Sequence, residues 1–318
     1  MNDRAAMPPL IVIGGATGTG KTELAIELAE SLAREGRPTA VISADSRQVY
    51  RGLDIGTAKV APADRARVPH FGLDLVDPDE PFTVAHFVAY ARDVLAAIPA
   101  RGGTAILVGG TGLYLRAIGR GLDTTALPSD PDLRVRLEAE LLRDGLPALV
   151  TRLLERAPAM AARIDQRNKR RVVRALEIAE LAGDLDLPAP RGYDGPSIWL
   201  GLTVAPTTHD RWIVKRARAQ FDAGLIDEAA ALRDRFDPAL PAFSAIGYRE
   251  AWAVLDGELT REAAIELDAR RNVTFAKRQR TWFRSEPGIT WLEGTEGPPT
   301  GAALELVRRA IAQPVAPA

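Results

Sequence analysis

Residues 15–22 read GATGTGKT, an instance of G-x-x-x-x-G-K-[ST], and they follow a short apolar run (Leu10 to Ile13) and precede a helical pattern. That context is what the motif needs to act on phosphate. A turn built from Gly15, Ala16, Thr17, Gly18, Thr19 and Gly20 can aim backbone N–H groups at phosphate oxygens, and the helix that follows adds the positive end of its dipole. Lys21 would then lie over the terminal phosphate, and the Thr22 hydroxyl could hold Mg²⁺. A diphosphate or triphosphate is the expected ligand.

The cradle alone does not say what happens to the phosphates. No N-K-x-D element is present to read guanine, which argues against a GTPase. The third predicted strand ends in Gly109-Gly110-Thr111, where a nucleotide hydrolase commonly carries an aspartate for Mg²⁺. The carboxylate comes instead from Asp45, just past the second predicted strand, at the sheet edge where ligands sit in doubly wound folds. A strand-end aspartate often caps the next element, but Ser46 is equally able to cap, which leaves Asp45 free for chemistry. His70, His86 and His209 have no ligand spacing and read as structural. With no cysteine, disulfides, thiol chemistry and Cys-held zinc are excluded.

These groups need a scaffold. Leu10–Ile13, Thr39–Ser43 and Thr104–Val108 read as buried strands, separated by helical patterns at Thr22–Arg34 and Thr83–Ile98, with Gly36 stopping the first helix and Thr83 capping the second. Strands spaced by helices imply a parallel sheet covered on both faces. From Ser129 the character turns helical, broken at Gly145, Pro158 and Gly183, until a Pro/Gly-rich connector to Pro196. Ser197–Val204 then returns as a strand. The expected organisation is therefore a doubly wound α/β core over 1–128 and 197–318, interrupted by an all-helical insertion over 129–196. Later helices are expected at about Thr208–Arg235, Arg249–Leu255, Thr260–Phe283 and Gly301–Ile311, with a last short strand at Gly288–Leu292.

Length and charge set the frame. The chain has 318 residues, 46% hydrophobic and 26% charged, the composition of a folded globular protein. No apolar run approaches the roughly 20 residues of a membrane span, and a lone Arg4 before a short apolar run makes a secretory signal unexpected. A cytoplasmic setting fits. The net charge, 41 basic minus 42 acidic, is −1, but it is segregated. Arg163–Arg174 carries +5 and the segment from Ala269 to Ser285 carries +6, so the remainder carries −12. Charge runs are commonly solvated helix faces, yet two strips on an acidic body also fit a polyanion. No long apolar stripe stands out, so a monomer is expected.

Further residues extend the pattern. DSRQVYRGLDIGTAK (Asp45–Lys59), with GATGTGKT upstream and GGTGLYLRA (Gly109–Ala117) downstream, closely resembles the tRNA dimethylallyltransferase family, of bacterial type. The resemblance continues through PHFGLDLVDP (69–78), LPSDPDLR (127–134), RRVVRALEI (170–178), AIGYREAW (245–252) and AKRQRTWFR (276–284), and so covers essentially the whole chain. It implies a P-loop NTPase-like core and transfer of a five-carbon prenyl group from dimethylallyl diphosphate to N6 of adenine 37, next to the anticodon, with release of pyrophosphate. The cradle and Mg²⁺ would stabilise the leaving pyrophosphate.

The resemblance assigns Asp45 to orienting the adenine amine and taking its proton, and matches Thr17, Thr111 and Arg216 to positions near the diphosphate or the reaction centre. Around Arg216 the block WIVKRARAQF departs from the commoner pattern at Trp212 and Gln220, so a shift of register would move that role to Arg218. For the tRNA anticodon stem-loop it implies Asp45, Ser46, Arg47 and Gln48, then Ser244, Gly247, Tyr248 and Arg249. The basic strips add Arg170, Arg171 and Arg174 on one helix and Lys277, Arg278, Arg280 and Arg284 on another, as clamps on the RNA backbone. As side chains, the aromatics Tyr50, Tyr114, Tyr248 and Trp282 are better read as core than as stacking platforms. Three other functions stay open at this point. A free-nucleotide prenyltransferase would have little use for the strips or the insertion, a P-loop small-molecule kinase would consume ATP, and a non-catalytic RNA-binding module would leave Lys21, Thr22 and Asp45 without work.

Overall fold

The computed structural model describes residues 7–99, 102–124, 126–186 and 189–312; Arg4, and Leu187 and Pro188 of the expected connector, lie outside them. Among the described residues no helix is long and apolar enough to cross a membrane.

Six strands form one all-parallel sheet in the order β3-β2-β4-β1-β5-β6: β1 (Leu10–Gly14), β2 (Thr39–Ser43), β3 (His70–Phe71), β4 (Thr104–Gly109), β5 (Ser197–Thr203) and β6 (Ile289–Glu293). The central strands β1, β2 and β4 are buried at every position, which is why they are continuous apolar runs rather than alternating ones. Helices α1 (Lys21–Arg34), α2 (Pro62–Arg65), α3 (Val84–Ala97) and α4 (Gly112–Gly119) connect the first strands. Thr83 caps α3 by accepting the His86 N–H. α1 lays Leu24, Ala25, Leu28, Ala29 and Leu32 against Ile11, Ile13, Val41 and Ile106 of the sheet.

After β5 come α8 (Pro206–Asp222), α9 (Leu225–Arg233), a 3₁₀ turn (Pro241–Ser244), α10 (Tyr248–Leu255), α11 (Arg261–Arg284) and, beyond β6, α12 (Thr300–Ala312). The single helix expected over Thr208–Arg235 is two, because Gly224 takes φ +99°, a left-handed conformation that ends α8 and that glycine adopts without Cβ strain. α8, α9, α10 and α11 enclose a second core of Val49, Leu53, Phe221, Phe243, Tyr248 and Trp252.

The chain divides into two compact units, residues 1–121 with 192–318, and residues 122–191. The division falls several residues before each boundary expected from the sequence (128/129 and 196/197). At the second, the Gly192 N–H bonds to Arg120 O and the Leu10 N–H to Pro196 O, tying 192–196 to the end of α4 and to β1. The smaller unit is all helical: α5 (Pro131–Arg156), α6 (Pro158–Arg163) and α7 (Lys169–Ala182). α5 breaks at Gly145 (φ +82°), and Leu137, Leu153, Met160, Val172 and Leu176 form its core.

Candidate active site

The phosphate loop leaves β1 at Gly14 and enters α1 through Gly20, whose φ of +84° turns the chain into the helix. No side chain caps α1, so the unpaired N–H groups of its first turn are left for an anion. Lys21 does not project into solvent. It is buried, and its Nζ donates to Ala16 O at 2.5 Å, where the buried Thr19 hydroxyl also donates. Burial, reinforced by the nearby Arg216 guanidinium and opposed by Asp45, pushes the Lys21 ammonium down to about 7. The loop thus holds an amine that titrates near neutrality in the free protein and that an anionic ligand would favour in its charged form.

Thr17 is held from three directions. Its hydroxyl accepts from Arg216 Nη1 at 2.7 Å, its N–H donates to Gln279 Oε1 at 2.8 Å, and its carbonyl lies 2.8 Å from His209 Nε2. Arg216 is therefore the arginine on α8 that reaches the loop. Arg218 lies on the exposed side and pairs with Glu262. Burial lowers the Arg216 guanidinium from its ordinary value, with Asp268 and Asp45 pulling the other way.

Across the loop lie the ends of β2 and β4. A Cβ on Gly109 would come 2.2 Å from Ala44 O, so glycine there is what allows the two strand ends to close up. The Thr111 N–H donates to Ala44 O and the Ser46 N–H donates to Thr111 Oγ1 at 3.0 Å. Asp45 does cap after all: its Oδ1 accepts the Arg47 N–H at 2.8 Å, because the segment after β2 is a turn rather than a helix, and Ser46 engages Thr111 instead. The bond fixes the carboxylate while its other oxygen remains free for a ligand. Asp45, Thr17, Gly18, Gly20, Lys21, Thr22, Gln48, Gly110, Arg216 and Gln279 line one cleft of about 290 Å³, near the lower end of the range for small-molecule sites. Ala16, Gly15 and Thr19 border a second cavity of about 210 Å³ with His209, Arg280 and Arg284.

Gln279 is a site residue that no expectation named. It links the loop to Gly110 O by its amide N–H at 2.9 Å, and its only sequence trace is its place in the AKRQRTWFR block. Gln48 works inward, accepting from Ser43 Oγ and donating to Thr57 O and Ala58 O. Arg47 is half-buried, its Nη1 donating to Pro241 O.

Two expected tRNA contacts are corrected. Tyr248 is fully buried, its hydroxyl donating to Glu228 Oε1 at 2.7 Å with its ring against Gly56; the same carboxylate accepts the N–H groups of Asp54, Ile55 and Gly56. Gly247 is likewise buried, its N–H donating to Glu250. Ser244 and Arg249 are exposed, while Tyr50 and Tyr114 are buried as expected.

The basic strips also divide. On α7, Arg170 and Arg171 are exposed beside Lys169, but Arg174 turns inward and pairs with the buried Glu177 at 2.8 Å. Burial works to raise the Glu177 carboxyl, yet the hydrogen bonds from Arg174, the Asp130 N–H and Arg134 outweigh it and hold it below the usual range. Arg174 thus serves as a counter-ion to Glu177. Arg163 and Arg167 are also paired, with Asp186 and Asp165. On α11, Lys277, Arg278 and Arg284 are exposed, and Arg280 is half-buried with Nη1 2.7 Å from His209 Nδ1.

The fold and this cleft define a P-loop α/β protein whose phosphate loop faces a strand-end carboxylate. Residues 48–286 match the model of the family described as IPP transferase. The chain is 42% identical over 309 residues to the tRNA dimethylallyltransferase of Kineococcus radiotolerans, covering 95% of each, and 46% identical over 290 residues to that of Anaeromyxobacter dehalogenans, covering 89% of this chain and 94% of the other. Among solved structures it resembles a tRNA isopentenylpyrophosphate transferase from Bacillus halodurans (TM-score 0.68, 38% identity, 95% of both chains) and a eukaryotic dimethylallyltransferase acting on tRNA (TM-score 0.75, 25% identity, 98% of this chain and 81% of that one). The chain belongs to the IPP transferase family and is a transferase.

Proposed function

We propose that the protein transfers the dimethylallyl group of dimethylallyl diphosphate to N6 of adenine 37 in the tRNA anticodon loop and releases pyrophosphate. The observation that carries this reading is the free oxygen of Asp45, fixed by the Arg47 N–H and lining one cleft with the phosphate loop and Arg216, while glycines occupy the end of β4. A nucleotide hydrolase would want its carboxylate on the metal at β4. A transfer to a weak amine nucleophile wants it beside the acceptor.

In this reaction the C1–O bond of the donor breaks, its electron pair leaving with pyrophosphate, and the N6–C1 bond forms. The N6 proton passes to Asp45, which contributes as a general base. Developing charge on the leaving group meets the N–H groups of the loop, Lys21 and Arg216, which are already oriented before reaction. Thr17 and Thr111 hold the two sides of the cleft in place. Among the described residues no cluster of three or more His, Asp or Glu could cage a metal. Mg²⁺ binds through few protein oxygens and mainly through substrate phosphates; the Thr22 hydroxyl would hold it. When bound, Mg²⁺ neutralises charge on the departing pyrophosphate.

The exposed cations contribute the polyanion contacts. Lys169, Arg170 and Arg171 occupy the first turn of α7, with no acid there. Cations at a helix N-terminus oppose the dipole and cost stability, a placement that makes sense where an RNA phosphate will sit. Lys277, Arg278 and Arg280 serve the same end on α11, and Asp45–Gln48, Ser244 and Arg249 approach the loop bases. The adenine leaves its stack to be modified. The protein acts as a cytoplasmic monomer.

The test mixes the protein with Mg²⁺, dimethylallyl diphosphate and an anticodon stem-loop containing A36-A37-A38. Prenylated A37 is expected by nucleoside mass spectrometry. No prenylated RNA, or product with free AMP, ADP or ATP only, would overturn the assignment.

A further inference from the structure

His209 stands outside the cleft, yet it joins the phosphate loop to the basic helix. It is buried on the first turns of α8, with Nε2 2.8 Å from Thr17 O and Nδ1 2.7 Å from Arg280 Nη1. A guanidinium is a donor only, so Nδ1 must accept from Arg280, and Nε2 must carry the proton and donate to the Thr17 carbonyl. One neutral tautomer satisfies both bonds. A charged imidazolium would set a second N–H against Arg280, and burial, with Arg280 and Lys21 nearby, holds the ring below its ordinary pKa.

We propose that His209 is a positioning residue that locks the phosphate loop at Thr17 to Arg280, so that the loop's capacity for diphosphate depends on a side chain of the RNA-facing helix. The inference rests on the proposed function in taking the loop as a diphosphate cradle and α11 as a helix that meets RNA. Thr17 offers its hydroxyl to Arg216 and its N–H to Gln279, and rotation of its peptide disturbs both. Its carbonyl would otherwise be the one untethered polar group of the residue. Arg280 is half-buried beside the 210 Å³ cavity, with its remaining N–H groups available to a phosphate. A phosphate that drew Arg280 outward would act on the loop through the imidazole, without touching the donor substrate.

The test is binding of inorganic pyrophosphate with Mg²⁺ by calorimetry, without RNA, on the whole protein. Relative to wild type, His209→Leu should weaken binding about tenfold, the order expected when a buried hydrogen-bonded link is lost. His209→Gln, whose amide can donate to Thr17 O and accept from Arg280, should restore it to within about threefold. Arg280→Met should weaken binding as His209→Leu does, and the double variant should add no further loss, since both cut one chain. Wild-type binding by His209→Leu, a Gln variant no better than Leu, or losses that multiply in the double variant would each overturn the proposal. Should the Leu variant fail to fold, Arg280→Met and His209→Gln still decide it. Absence of pyrophosphate binding by the wild type would overturn the cradle itself together with this proposal, whereas equal binding by wild type and variants overturns the proposal alone.

Discussion

Lys21 should make both stability and diphosphate affinity depend on pH in a way that can be worked out in advance. Its ammonium titrates at about 7 in the folded protein and at 10.5 when unperturbed, mainly because it is buried. Between those values the unfolded chain holds a proton that the folded one has lost, so stability rises with pH across that window. Below pH 7 the fold carries a buried ammonium, at a cost on the order of 5 kcal/mol at about 1.4 kcal/mol per pH unit. Lys21→Met removes that cost and loses the bond to Ala16 O, about 1 kcal/mol. The variant should therefore unfold a few kcal/mol later than wild type at pH 6.5, several degrees in Tm for a chain of this size. That gain should shrink as pH approaches 10. Diphosphate, however, needs the charged form. At pH 8 roughly nine-tenths of Lys21 is neutral, so binding pyrophosphate should take up close to one proton. Calorimetry in two buffers of different ionisation enthalpy measures this, with Lys21→Arg, which stays charged, as the baseline for the ligand's own protonation. A Lys21→Met variant no more stable than wild type at pH 6.5, and equal proton uptake by wild type and Lys21→Arg, would refute the reasoning.

Other residues make separate demands. Asp45→Asn should lower turnover by about 10²- to 10⁴-fold while pyrophosphate binding, followed by calorimetry, stays within a few-fold. Replacing Lys169, Arg170 and Arg171 by Glu should weaken stem-loop binding and flatten its log–log salt dependence by about 0.7 to 0.9 per lost phosphate contact. The same change should raise the thermal midpoint, because the helix dipole then favours the new charges. Arg174→Gln should do the reverse, costing about 1–3 kcal/mol in urea denaturation by weakening the buried Glu177 network, with the salt slope unchanged. Tyr248→Phe should cost about 1–2 kcal/mol of stability through the lost bond to Glu228 and leave the KM for tRNA within twofold. Arg218→Ala should leave turnover intact where Arg216→Met does not.

The sequence by itself determined five of the six strands, the phosphate loop and the basic runs, because each is set by neighbours along the chain; the two-residue β3 (His70–Phe71) is too short to show a pattern of its own. A continuous apolar run makes a buried parallel strand, and the spacing GATGTGKT between strand and helix makes an anion cradle whatever surrounds it. The resemblance of the Asp45–Lys59 run brought the family with it.

What only the tertiary structure decided is which side chains of those segments meet. Thr17 is secured by Arg216 and Gln279, which lie 199 and 262 positions away, a separation over which no local periodicity carries information. Arg216 and Arg218 are two residues apart on α8, so about 200° of helical rotation separates them. One reaches the loop and the other a surface carboxylate, and only the packing of α8 decides which. The same geometry divided the basic strip on α7, where Arg170 and Arg171 face outward and Arg174 turns to Glu177. It also withdrew Tyr248 into the core, because a tyrosine with a partner for its hydroxyl is more stable buried than exposed. Chain-local chemistry named the ligand class; packing selected the residues that handle it.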